Sequence, residues 1–296
     1  MSGFHHEAVF YAGDEDYVAA TAPEIRATLD ERGAVLVAVA GARQELLRGA
    51  LGADTGGVLF ADMADLGRNP ARIIPAWREF LDEAADGPVL GIGEPAWPGR
   101  SDAELIECSR HESLLNLAFD GGRPWRLLCP YDTTGLEPEV IDEACRTHPH
   151  VRWNAHSESS GAYSERVRED RLPPPGGEPA ELAFARTDLA LVRDFTARAA
   201  RAAGVRDGRL DDLVLAVNEL ATNSVRHGGG KGVLRVWEQA GAFVCEVSDS
   251  GRIGDPLAGR ERPESLGFGG RGLWIVNQLC DLVQVRGGVV RLHTRI

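Results

Sequence analysis

The sequence predicts two domains of different class: an α/β amino half built on a mainly parallel sheet, and a carboxyl half that is an α+β two-layer sandwich. Three observations carry this. The 296 residues are about twice the length of a typical domain. The stretch "ERVREDRLPPPGGEPAE" at 165–181 contains a proline and glycine run in which neither a helix nor a central strand survives. The rhythm of apolar runs and helical periods changes on either side of it. We place the domains at 1–164 and 180–296, with 165–179 as the linker.

In the amino half, the apolar runs "AVLVAVA" (34–40), "GVLFADM" (57–63), "PVLGIGE" (88–94) and "WRLLCPYD" (125–132) read as strands. Each is followed by a helical period, at 42–51, 70–86, 102–118 and 138–147. Strands alternating with helices predict crossover connections and hence parallel pairing. The segment "VRWNAHSESSGAYSE" (151–165) reads as an irregular or extended arm.

In the carboxyl half, a short strand at 180–185 precedes helices at 187–203 and 209–227, with Thr187 or Asp188 as the cap of the first. Strands at 232–239 and 242–249, a Gly/Pro-rich stretch, a helix at 271–281 and a final strand pair follow. Helices grouped against antiparallel strands make the sandwich.

Composition narrows the function classes. No apolar stretch approaches the roughly 18 residues needed to cross a bilayer, and "MSGFHHEAVFYAGDED" has no basic-then-apolar leader, so a cytoplasmic location is expected. The net charge is −13. Residues 1–164 hold 13 arginines against 27 acids, whereas 165–296 hold 19 basic residues against 18 acids. The acidic half would be repelled by phosphates and neither half has a basic stripe with aromatics, so no nucleic-acid partner is expected. Cys108, Cys129, Cys145, Cys245 and Cys280 are odd in number and form no C-x-x-C pair, so packing is expected rather than a disulfide framework or a zinc site.

Three stretches of the carboxyl half carry chemistry. In "LDDLVLAVNELATNSVRHG", Leu213, Ala216, Val217, Leu220 and Val225 form an apolar stripe, and Glu219 and Asn223 stack one turn apart beside it. A carboxylate and an amide oxygen so placed suit magnesium, which takes oxygen ligands and keeps most of its waters. Alone, the same face reads as a solvated helix end with Gly228–Gly230 as cap and loop, and His227 as cap or packing. In "CEVSDSGRIGDP", Asp249 and Gly251 end an apolar strand, where an aspartate can accept from an exocyclic amine or simply serve the turn. In "SLGFGGRGLWIVNQL", Gly267, Gly269, Gly270 and Gly272 precede a helix, an arrangement that binds anions through main-chain N–H groups and alone also suits a lid of small residues.

Taken in order, these stretches resemble the N box and two glycine boxes of the Bergerat (GHKL) ATP-binding fold shared by histidine kinases, Hsp90-type and gyrase-type ATPases, over about residues 180–296. The likeness extends to the RsbW-like anti-sigma factor serine kinases, whose E-x-x-x-N followed by H-G is matched by Glu219, Asn223, His227 and Gly228. The resemblance implies ATP and Mg2+ as cofactors, Asn223 on the metal, and Glu219 as the residue that orients or deprotonates an attacking hydroxyl. It implies Asp249 on the adenine amine, Gly251 beside the base, and Gly267, Gly269, Gly270 and Gly272 around the phosphates, with Arg271 neutralising charge. The family's third glycine-and-threonine box is reduced to Gly287, Gly288 and Thr294.

The strand "AVLVAVA" and the following "GARQELLR" resemble a RecA-like core without its phosphate loop, since G-K-[ST] is missing. "FHHEAVFYAGDEDYVAATAPEI", "VLFADM", "SDAELIECSRHESLLNLAF" and "LLCPYDT" together resemble the MEDS sensory domain over about residues 4–150, which implies a small-molecule ligand. His5, His6, His111 and Glu112 are candidate ligand or metal residues there, and Trp97, Trp125 and Tyr131 candidates for a pocket at the carboxyl ends of the strands. "HESLLN" also resembles the phosphoacceptor helix of histidine kinases, but it lies inside an α/β unit rather than on a paired hairpin, and that reading is rejected.

The expected function is a regulator that binds Mg-ATP, phosphorylates Ser/Thr of an antagonist protein and sequesters a sigma factor, with homodimerisation left open. The alternatives are a non-catalytic ATP-dependent partner-switching module and an orphan histidine kinase.

Overall fold

The structure is a computed structural model and describes residues 3–154, 156–167, 171–263 and 271–296. The chain divides into two compact units, Met1–Arg168 and Glu169–Ile296.

The amino unit runs β1 (Phe4–Tyr11), α1 (Gly13–Asp30), β2 (Ala34–Val39), α2 (Gly41–Leu51), β3 (Val58–Asp62), α3 (Met63–Leu66), α4 (Ile73–Glu83), β4 (Val89–Gly93), α5 (Asp102–Ala118), β5 (Trp125–Asp132), α6 (Pro138–Thr147), β6 (His150–Trp153) and β7 (His156–Ser159). Its sheet has the order β3-β2-β4-β5-β1-β6-β7, parallel except for the β6–β7 pair. The parallel α/β class is as expected. The structure differs from the sequence reading at β1, α1, the short α3 and the β6–β7 arm. Strand β1 was given no element, yet it lies between β5 and β6 in the interior of the sheet. Its polar His5, His6 and Glu7 break the apolar run that marks a buried strand, and His6 and Glu7 are nonetheless buried. Helix α1 was likewise unassigned: Pro23 stands inside it and interrupts the helical signal. The expected arm is a hairpin edge, because β6 pairs with β1 through Glu7–Phe10 and β7 folds back on β6.

Helix α5 starts at a capping box in which Glu104 Oε2 accepts from the Ser101 N–H at 2.9 Å and the Glu104 N–H donates to Ser101 Oγ at 3.4 Å. It buries Glu107, Arg110, His111, Glu112 and Ser113, an unusual load of polar groups for one helix.

The carboxyl unit runs β8 (Ala180–Ala185), α7 (Leu189–Ala202), α8 (Asp207–His227), β9 (Lys231–Gln239), β10 (Ala242–Ser248), α9 (Arg271–Leu279), β11 (Leu282–Arg286) and β12 (Val289–Arg295). The sheet order β11-β12-β10-β9-β8 is antiparallel throughout. Leu213, Val217 and Leu220 of α8 and Val276 of α9 share one core with Leu234, Val247 and Leu292 of the sheet. Asp188 precedes α7, but its side chain turns back to accept from the Ala185 N–H at 2.9 Å, so neither it nor Thr187 caps the helix as expected.

Candidate functional site

Helix α8 is held by its apolar stripe, and this fixes what its neighbouring face can do. Leu213, Ala216, Val217 and Leu220 are buried, which leaves Glu219 and Asn223 half-buried one turn apart. The start of α9 faces them. A Cβ on Gly272 would lie 2.9 Å from Asn223 Nδ2 and 3.2 Å from Glu219 Oε2, so glycine is what lets the two polar tips pack directly against the helix start. Arg271, the first residue of α9, is exposed. Gly267, Gly269 and Gly270 lie outside the described residues.

Asp249 follows β10 and its carboxylate is clamped on both sides. Oδ2 accepts from Ser224 Oγ at 2.6 Å, and Oδ1 accepts from the Gly251 N–H at 2.7 Å. A carboxylate offers about four lone-pair sites, so two remain for another donor. A Cβ on Gly228 would overlap this carboxylate, and one on Gly251 would lie 2.9 Å from Asp249 Oδ1 and 3.1 Å from the His227 carbonyl. The Gly287–Gly288 turn supports the same loop: Asp249 and Ile253 donate to the Gly288 and Gly287 carbonyls at 3.1 and 3.2 Å. Thr294 is not part of this site, because it pairs with Phe243 at the far end of β12.

Ser224 is the residue that sequence reasoning missed. It is buried, and it stands where the stripe spacing of α8 asks for an apolar side chain, so a hydroxyl there was the available signal.

The groups gathered here fit a magnesium nucleotide by their chemistry. Glu219 and Asn223 offer hard oxygen ligands, Asp249 keeps lone pairs for an amine, and Gly228, Gly251 and Gly272 let the backbone approach these side chains closely.

In the amino unit, the four candidate residues separate. His5 stacks on His150 with ring centroids 4.3 Å apart. His6 Nε2 lies 2.9 Å from Glu112 Oε2, but His111 is not part of this group. Two other residues join instead: His148 Nε2 lies 3.2 Å from Glu112 Oε2, and Cys129 Sγ lies 3.4 Å from His6 Nε2. All four are buried. Cys129 therefore belongs to a polar cluster rather than to simple packing, although all five cysteines are free thiols. Burial, seconded by His148, pushes the His6 imidazole down to about 4, so it is neutral at pH 7.

The three aromatic candidates do not converge. Trp125 lies at the amino end of β5 against Phe4, at 4.9 Å, whereas Tyr131 lies near its carboxyl end, edge-on to His148, and Trp97 lies 3.6 Å under the Arg100 guanidinium. At the carboxyl ends of β1 and β4 stands a different group. Tyr11 Oη donates to Glu94 Oε1 at 2.6 Å, and Arg43 covers the rings of Tyr11 and Tyr17 and bonds Asp132 at 3.2 Å. Burial raises the Glu94 carboxyl to about 7, against the opposing pull of Tyr11 and Arg43.

Comparison with known families agrees with this division. Residues 5–149 match the family described as the MEthanogen/methylotroph, DcmR Sensory domain (MEDS), and residues 182–294 match the Histidine kinase-like ATPase domain. No curated protein matches the chain. Among the described residues no helix is long and apolar enough to cross a membrane.

Proposed function

We propose, for a chain that joins a MEDS sensory domain to a histidine kinase-like ATPase domain, a signal-responsive regulator of the anti-sigma factor type. It binds Mg-ATP, phosphorylates a serine or threonine of an antagonist protein, and exchanges that partner for a sigma factor. The amino domain receives a small-molecule signal. Its effect on partner choice equals the difference in ligand affinity between the two states of the chain.

One observation carries the reading: Glu219 and Asn223 meet over the bare start of α9, on the helix whose Ser224 fixes Asp249. Bound Mg-ATP supplies the transferable phosphoryl group and the counter-charge that phosphoryl transfer needs. Asn223 presents its amide oxygen to the ion. Asp249, held by Ser224 and Gly251, accepts from the base amine, which sets the register of the nucleotide. Glu219, one turn from Asn223, orients the partner's hydroxyl and takes its proton. Gly272 keeps the phosphate side of the site open to main-chain donors of α9.

The test is incubation of the chain with γ-labelled Mg-ATP and candidate antagonist proteins. Acid-stable label on serine or threonine is expected, and Glu219→Gln is expected to lower transfer by at least about 100-fold while nucleotide binding persists. Binding without any transfer at stoichiometric protein would identify a partner-switching module. Acid-labile label on the chain itself would identify a histidine kinase. Either result overturns the kinase reading.

A further inference from the structure

We propose that His6, Glu112, Cys129 and His148 form a binding site for one divalent transition-metal ion of the zinc type. Their ligand atoms come from β1, α5, β5 and the two-residue link between α6 and β6, and all lie within 4.8 Å of one another.

Each imidazole is turned so that the same ring nitrogen faces the cluster. Asn116 Nδ2 donates to the Thr147 carbonyl at 2.8 Å, which turns its Oδ1 toward His6 Nδ1 at 3.0 Å. An amide oxygen only accepts, so His6 Nδ1 donates to it and Nε2 is the atom turned to the cluster. His148 is fixed in the same way, with Nδ1 2.8 Å from the Ala144 carbonyl. Both Nε2 atoms lie against one oxygen, Glu112 Oε2, at 2.9 and 3.2 Å. Cys129 Sγ completes the group, 3.5 Å from that oxygen.

Both imidazole Nε2 atoms, the Glu112 carboxylate and the Cys129 thiol thus face one another in one buried space. Such a convergence of ligand-type atoms from four separate stretches of chain is the geometry that a shared cation satisfies. Further polar capacity is unspent: Glu112 Oε1 and His148 Nε2 are buried without a hydrogen-bond partner. The dimensions agree as well. Ligands roughly 2.0–2.3 Å from a tetrahedral ion stand about 3.3–3.8 Å from each other; the contacts here run from 2.9 to 3.5 Å and every ligand atom lies within 4.8 Å of the others.

Two imidazoles, one thiolate and one carboxylate in a small closed space suit zinc in preference to calcium or magnesium, which take oxygen ligands. Binding replaces the thiol proton, which leaves to solvent. The Asn116 and Ala144 contacts serve as the outer partners that hold metal-ligating histidines in the required tautomer. The ion would join the interior strand β1, helix α5, strand β5 and the edge leading to β6, so metal loading would set how firmly the sensory domain is folded. The site shares no residue with the nucleotide site, and each reading can fail without the other.

The test uses the full chain. Mass spectrometry of the purified protein is expected to find one zinc per chain. After unfolding in chelator and refolding with Co2+ alone, the wild type is expected to show tetrahedral visible absorption and a thiolate-to-metal charge-transfer band. Cys129→Ala is expected to lose the charge-transfer band and at least about 100-fold in affinity, and Asn116→Ala about 10- to 100-fold with the band retained. Wild-type protein that is metal-free as purified and gives no Co2+ spectrum overturns the proposal without reference to any variant. So does Co2+ binding that is unchanged in Cys129→Ala.

Discussion

Replacing Ser224 by alanine tests how the nucleotide site is held together. The hydroxyl is buried and donates to Asp249 Oδ2 at 2.6 Å, the length of a charge-assisted bond. Bonds to charged groups contribute about 1.5–3 kcal/mol. The Gly251 N–H keeps its hold on Oδ1, so in the variant the carboxylate pivots about one remaining bond rather than leaving the site. If all of that energy serves to orient Asp249 toward the base, affinity for Mg-ATP falls by roughly 10- to 150-fold. Calorimetric titration of wild type and Ser224→Ala measures it, with circular dichroism to confirm that both are folded. Tripolyphosphate with magnesium is the informative control, because it has no base for Asp249 to read. The account predicts that Ser224→Ala weakens ATP binding far more than tripolyphosphate binding. Unchanged ATP affinity, or equal losses for both ligands, would refute the assignment of Asp249.

Three further outcomes are expected. Asn223→Ala should remove the magnesium dependence of nucleotide binding, so that affinities with and without EDTA coincide; a persistent difference would move the metal elsewhere. Gly288→Ala should destabilise the carboxyl unit by about 1–3 kcal/mol in urea melts, because its Cβ would meet the backbone carbonyls of Gly251 and Asp249, the latter at 2.8 Å, and neither can rotate away; an unaltered midpoint would contradict this. Glu94 is raised by burial to about 7, with Tyr11, Tyr17, Arg43 and Asp132 as its charged or titratable neighbours, so the folded chain keeps a proton between pH 4.5 and 7 that the unfolded chain has lost. Its contribution is therefore full below pH 4.5 and declines by up to ~3 kcal/mol as pH rises through 7, a fall that Glu94→Gln should abolish; parallel curves for the two proteins would dismiss it.

The carboxyl unit was legible because Glu219, Asn223 and Asp249 sit outside its apolar pattern. Glu219 and Asn223 stand beside the α8 stripe, and Asp249 follows the largely apolar strand β10, so the periodicity that marks the elements survives. The amino unit was legible only where the same holds, as in the apolar strands β2, β4 and β5. Strand β1 was missed because His6 and Glu7 are both buried and polar, and local patterning has no means of separating a buried histidine from an exposed one. The cluster around Glu112 was half seen for the same reason. Cys129 and His148 are 17 and 36 residues from Glu112 in the chain, and only the parallel pairing of β5 and β6 with β1 brings them to His6. Ser224 was passed over because a serine in a helix is ordinarily a neutral choice.

Titration of the intact wild-type chain with ATP, in magnesium and then in EDTA, bears most directly on the nucleotide site. A single saturable heat per chain that collapses when the metal is withdrawn is the predicted result. Absence of any heat beyond dilution at millimolar Mg-ATP would contradict the account at its root.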